Sequence, residues 1–435
     1  MKKLSFLFVG VILVLSAADL FAESDVRGAV VNAPNRIEND LNAAIGQNST
    51  AEQSSIKMKD LQMKGAVVNL NNDQQSVNLA VGNQATAMQS SVKLGGSASG
   101  AVVNTNMVST NLNLAAGNQV TAEQASISTS ASGIKGAVIN TAMGKNALNL
   151  GAGNRVTAGQ SSVSMTGSNV SGAVVNTAAA QNMLNLGAGN EVNADQASVR
   201  MSGTTLKGAA VNTVGAQNLL NIGAGNKVVV KQGAISAEDS TIKGAVVNTA
   251  AGQNLLNIAA GNKVTANQAS ATLEDSTVTG AVVDTALGQN FVNLAVGNKA
   301  TANQAATQLE GATVSGAVVN TAVGHSFVNL AAGNKVEANQ ASTTAVDSTL
   351  KGAAVNTIGG VGAVNLAAGN EATANQASTK LKGSTLKGAA VNTIVGGAVN
   401  LAAGNKATAS QAASTVEGST VKGSLVNTVG GAAVN

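Results

Sequence analysis

The residues of this sequence that could do chemistry form no catalytic constellation, and carboxamides are prominent among the polar side chains that recur at fixed spacing. There is one His, His325, and no Cys, so a thiol or imidazole couple for nucleophilic catalysis cannot be assembled, and no His/Asp/Glu cluster has metal spacing. His325 stands where other copies of the same segment carry Gln253 or Gln289, and reads as substitution drift rather than as a ligand or base. The acidic pairs Glu238-Asp239 and Glu274-Asp275 fall in a variable arc where another copy has Lys380 and Lys382. They read as a solvated loop, not as a calcium site or an acid/base pair. Strings such as Gly151-Ala152-Gly153-Asn154 recur throughout and open no helix, which excludes a phosphate loop. The sequence therefore predicts no enzyme, no cofactor, no metal site and no small-molecule substrate.

Amides at fixed spacing remain. One set is Asn104, Asn140, Asn176, Asn212, Asn248, Asn320 and Asn356, with Asp284 in the one deviating copy. A second is Asn149, Asn185, Asn221, Asn257, Asn293, Asn329 and Asn365. A third is Gln124, Gln160, Gln196, Gln232, Gln268, Gln304, Gln340 and Gln376. A carboxamide carries both donors and acceptors, so copies set one above another can bond along a column, as in cross-β assemblies.

The elements that would stack them are repeats. A GAVVN-like start falls at Gly28, Gly65 and Gly100, and from Gly100 to Gly388 it recurs every 36 residues; a last, truncated copy begins at Gly423. Such chains form quasi-one-dimensional stacks. Within the copy Gly244–Thr279, Ala245, Val247 and Thr249 alternate with Val246, Asn248 and Ala250. Leu256, Ile258 and Ala260 alternate with Leu255, Asn257 and Ala259; Val264, Ala266 and Gln268 share a third face, and Val278 marks a fourth segment. Alternation over four to eight residues predicts short strands. Gly-Asn pairs led by Gly153, Gly189, Gly225, Gly261, Gly297 and Gly333 predict the turns between them. The expected fold is all-β: a parallel β-solenoid of stacked cross-β layers, about one layer per 36-residue repeat, because self-alignment at half that period is poor. Lys227, Lys263, Lys299 and Lys335 would then lie in one column, at roughly 1 kcal/mol of repulsion per adjacent pair in water, and so belong outside the core.

Composition agrees. With no Trp, Tyr or Cys and five Phe in 435 residues, burial must come from Val, Leu, Ile and Ala, and stability from packing and backbone pairing without disulfides. A thinly spread net charge of +4 argues against a nucleic-acid partner, which needs a concentrated basic patch. Lys2 and Lys3 ahead of the apolar run Leu4–Ala18 read as a secretory signal peptide over residues 1–22. Residues 23–64, with Pro34 and a charged stretch at Arg36–Asp40, read as a divergent first repeat or N-terminal cap. Residues 65–435 read as tandem 35–36-residue repeats forming one solenoid. The last, uncapped copy leaves an expected open edge for another molecule.

The runs VNLAAGNKVTANQAS and GAVVNTA behind a leader resemble the repeats of bacterial functional amyloid subunits, above all the Fap-type fibril proteins of Gram-negative bacteria; curlins are a looser likeness. The chain differs from the Fap type in its contiguous repeats and lack of Cys. The resemblance implies a chain secreted to the extracellular space or cell surface of a Gram-negative bacterium. Its partners would be other copies of itself, an outer-membrane export pore and a nucleator subunit, and its product a biofilm fibre. A monomeric solenoid stalk or adhesin is the alternative. Ice binding through the column containing Thr105, Thr141, Thr177, Thr213 and Thr249 is a third reading, weakened because the column is a single file.

Overall fold

The computed structural model describes residues 83–434 without a break and, before them, strand segments that include Asn48–Met63, Val67–Asn71 and Gln75–Val81. The expected signal peptide lies largely outside the described residues.

One repeat makes one coil. The long strand Val246–Ala260 runs into the turn at Gly261-Asn262, the strand Lys263–Glu274 returns, and the two-residue strand Thr277–Val278 leads into the next coil at Val282. Each strand pairs in parallel with its own copy one repeat away: Asn257 with Asn293, Gln268 with Gln304, Val278 with Val314. The long strands form one continuous parallel sheet; the returning and short strands form a second. The expected solenoid of single 36-residue coils is the observed fold.

The two sheets face each other across a buried interior, and alternation decides what enters it. Val246, Asn248 and Ala250 are buried, while Val247 and Thr249 face outward. Leu255, Asn257 and Ala259 are buried in turn. The sequence suggests two strands here, because the phase slips at Ala251–Asn254. The structure instead keeps one strand through the slip, since both halves hold the same register with the neighbouring coil.

Three apolar columns fill the interior: one around Val246, Leu273 and Val278, one around Ala250, Leu255 and Ala269, one around Ala259, Val264 and Ala266. The first is built of Val, Ile, Leu and Met with some Ala, and the third of Ala and Val alone. The second also holds Phe291 and Phe327, which stack on one another in neighbouring coils with ring centroids 4.9 Å apart.

Two backbone features shape the coil. The returning strand bends at Ala269, whose φ of 45° lies in the left-handed region; Ala305, Ala341 and Ala377 repeat it, and Gly233 fills the place one coil earlier. The Gly-Asn turns owe their glycine to something else. A Cβ on Gly261 would collide with the carbonyl oxygen of Gly225, and Gly153, Gly189, Gly225, Gly297 and Gly333 meet the same obstacle one coil below. Close stacking of turns, not turn conformation, selects glycine at Gly153, Gly189, Gly225, Gly261 and Gly297; at Gly333 a φ of 154° adds a conformational reason.

Candidate functional site: the stacked amide columns

The buried amides are held by the inward phase of the strands. Alternation puts Asn248 and Asn257 between the apolar columns from one sheet and Gln268 from the other, each fully buried. A buried carboxamide must find partners for two N–H groups and one carbonyl. The solenoid supplies them in two directions.

Along the axis, the second Asn column is unbroken. Asn113 Nδ2 donates to Asn149 Oδ1, and the pattern repeats through Asn185, Asn221, Asn257, Asn293, Asn329 and Asn365 to Asn400 at 2.8–3.1 Å. Across the core, the same amides donate to backbone carbonyls of the facing sheet: Asn149 to Ala122 at 2.9 Å, Asn185 to Ala158 and Asn293 to Ala266 at 3.0 Å. Each side chain thus ties its coil to the next and one sheet to the other.

The first Asn column follows the same rule with one gap and one substitution. Asn104, Asn140, Asn176 and Asn212 are linked at 2.9 Å, and Asn320, Asn356 and Asn392 at 2.8 Å. Between Asn212 and Asn248 the link is missing. Asn212 Nδ2 turns to the carbonyls of Ala197 and Ala234, and Asn248 Oδ1 is left buried without a partner. Asn248 Nδ2 then donates to Asp284 Oδ1 at 2.7 Å. Burial pushes the Asp284 carboxyl up to about 7, against hydrogen bonds from Thr307, Asn248 and the N–H of Ala271 that pull it down.

The Gln column runs in the opposite sense. Gln232 donates to Gln196, Gln268 to Gln232, and so on through Gln304, Gln340 and Gln376 to Gln411. The expectation fails at its beginning. Gln160 sits in the column by position, yet its Nε2 donates to the carbonyls of Ala147 and Leu184, and its Oε1 has no partner. Gln124 likewise donates to the carbonyl of Leu148. Their amides are diverted to backbone carbonyls of the long strands.

Three further ladders escape the reading of the sequence. The turn asparagines bond in series on the exposed rim, Asn262 to Asn226 and Asn226 to Asn190 at 3.1–3.2 Å. Asn182, Asn218, Asn254 and Asn290 do so at the phase slip, at 2.8–2.9 Å. Asn267, Asn303, Asn339 and Asn375 do so inside the bend of the returning strand, at 2.9 Å. Their constant spacing was a usable signal for the first two. The third is hidden because earlier coils place Glu123, Gly159, Asp195 and Lys231 at that position.

That charged start of the bend holds a second set of perturbed groups. Asp195 is buried and paired with Arg200. Burial pushes the Glu123 carboxyl up, and burial with help from Arg200 lowers Lys231 to about 8. Glu123, Asp195 and Lys231 lie in separate coils at one position of the bend. Outside, Glu191 sits between Arg155 and Lys227, at 3.3 and 3.2 Å, and Glu371 between Lys335 and Lys406, at 3.2 and 3.7 Å. The expected basic column is exposed and partly neutralised in this way. His325 is exposed on the outer face. Among the described residues no three His, Cys, Asp or Glu side chains gather as a metal site.

No family model, curated protein or solved structure matches the chain.

Proposed function

We propose that this chain is a secreted structural protein whose coils stack end to end into extracellular amyloid-like fibres serving a biofilm matrix or surface adhesion. The observation that carries the reading is the unbroken Asn ladder from Asn113 to Asn400. Nothing in that ladder depends on chain connectivity. Each layer offers the next a row of parallel backbone donors and acceptors, an Asn N–H pointing one way and a Gln N–H pointing the other. A layer from a second chain completes the same bonds if it arrives in the same orientation, whereas a reversed layer sets donor against donor. Growth is therefore directional and templated.

The leader-like first residues and the likeness of the repeats to bacterial functional amyloid subunits support export through an outer-membrane pore and assembly with a nucleator. The test is seeded growth of the purified mature chain. Sonicated fragments should extend by monomer addition and give a cross-β diffraction pattern. A chain that stays monomeric at high concentration with seeds present contradicts the reading.

A further inference from the structure

The two outer faces of the solenoid differ in charge. Over the nine long strands from Val102–Ala116 to Ala390–Ala403, the only titratable residues are Lys145, Asp284 and His325, and Asp284 points into the core. On the other sheet, every returning strand from Arg155–Thr166 to Glu371–Lys382 begins with an exposed charged residue.

This charge-poor face, on which Lys145 and His325 are exposed, is also shaped. Ile222 and Ile258 belong to an outward, half-buried aliphatic column that forms a ridge parallel to the axis. Beside it lies a groove of about 540 Å³, floored by Met183 and Leu219, with Leu184 on one wall and Asn182 on the other. The amides on the second wall are bonded to one another along the axis, so the wall offers a partner few open polar groups.

We infer that this face pairs laterally with the same face of a second copy of the chain. A two-fold axis parallel to the solenoid, midway between ridge and groove, sets the ridge of each copy into the groove of the other and keeps both pointing the same way. A second copy is the occupant that fits, because its side chains repeat along the axis at the same interval as the groove. The size also fits. The groove itself runs over five coils, from Thr110–Leu112 to Asn254–Leu256, within a face that over nine coils at about 4.8 Å each and six residues at about 3.3 Å measures roughly 850 Å², against about 800 Å² per partner in a standard interface. Lateral pairing goes beyond end-to-end growth and does not depend on it.

The test is mass per unit length of assembled fibres by scanning transmission electron microscopy. Wild type should carry two chains per axial chain length. A variant with Leu148→Lys and Leu220→Lys, in alternate coils of the groove wall, should carry one. Circular dichroism checks that the variant keeps its β content, and the pair Leu148→Gln with Leu220→Gln replaces it if it does not. Wild-type fibres with one chain per length, or variant fibres that remain double, overturn the pairing. If no fibres form at all, which counts against end-to-end growth alone, sedimentation equilibrium of the soluble chain decides. A wild-type dimer that the variants reduce to monomer supports the pairing, and a wild-type monomer overturns it.

Discussion

The Thr307 hydroxyl lies 2.7 Å from Asp284 Oδ2 and 2.8 Å from Asn320 Oδ1, so one proton faces two acceptors whenever Asp284 is ionised. A neutral Asp284 resolves the conflict: its carboxyl O–H donates to Thr307, and Thr307 donates to Asn320. Protonation thus restores, through the threonine, the axial chain that an asparagine at this position would carry directly.

Stability should accordingly depend on pH through Asp284. Its folded value of about 7 lies above an unfolded value of about 3.9, so the fold favours the neutral acid. The stability this contributes is fully present below pH ~3.9 and is lost as pH rises through about 7. At about 1.4 kcal/mol per pH unit the loss is at most about 4 kcal/mol. Asp284→Asn should therefore be more stable than wild type at pH 8 and nearly equal to it at pH 4. Denaturant midpoints across that range check this, and a pH-independent difference would count against it.

Burial, not ladder membership, should set the cost of removing an amide. Asn257 is buried, accepts from Asn221 at 3.1 Å and donates to Asn293 at 2.8 Å. Asn257→Ala leaves Asn293 Oδ1 without its donor inside the core, while Asn221 keeps the carbonyls of Ala194 and Lys231, and should cost about 2–3 kcal/mol. Asn254→Ala breaks a ladder of similar geometry on the exposed face, where water replaces the partner, and should cost about 1 kcal/mol or less. Equal losses in equilibrium unfolding would contradict this ordering.

Gly261→Ala should disturb stacking although its backbone conformation suits alanine. The new methyl group meets the carbonyl oxygen of Gly225 in the coil below, and neither backbone can move without opening the register. A loss of about 1–3 kcal/mol in thermal or chemical unfolding is expected. Gly418→Ala makes the opposite comparison: its φ of 56° disfavours alanine, but nothing lies near the added atom. Its cost should be limited to about 1 kcal/mol of backbone strain.

Much of this fold was legible because its signals are periodic twice over. Alternation placed Val246, Asn248, Leu255 and Asn257 on the inward face, and the 36-residue interval set each above its copy. What escaped lies where one period fails. At Ala251–Asn254 the alternation slips, so a single strand looks like two and the Asn254 ladder looks like a loop. At Asn267 the interval holds but the residue type does not, since earlier coils carry Asp195 and Lys231 there. Gln160 shows the converse: position puts it in the column, and a competing carbonyl of the facing strand takes its amide. The role of Gly261 was missed because the clash it avoids is with a residue 36 positions away.

In the proposed fibre, layers continue from one chain to the next as they do within one. Helical reconstruction by electron cryomicroscopy of the product assembled from the purified mature chain tests this most directly. The predicted map shows parallel layers about 4.8 Å apart, with the asparagine column of Asn257 and Asn293 continuing across each junction between molecules at unchanged spacing. A map in which the layers stop at the junction, or in which successive chains meet in reversed orientation, contradicts it.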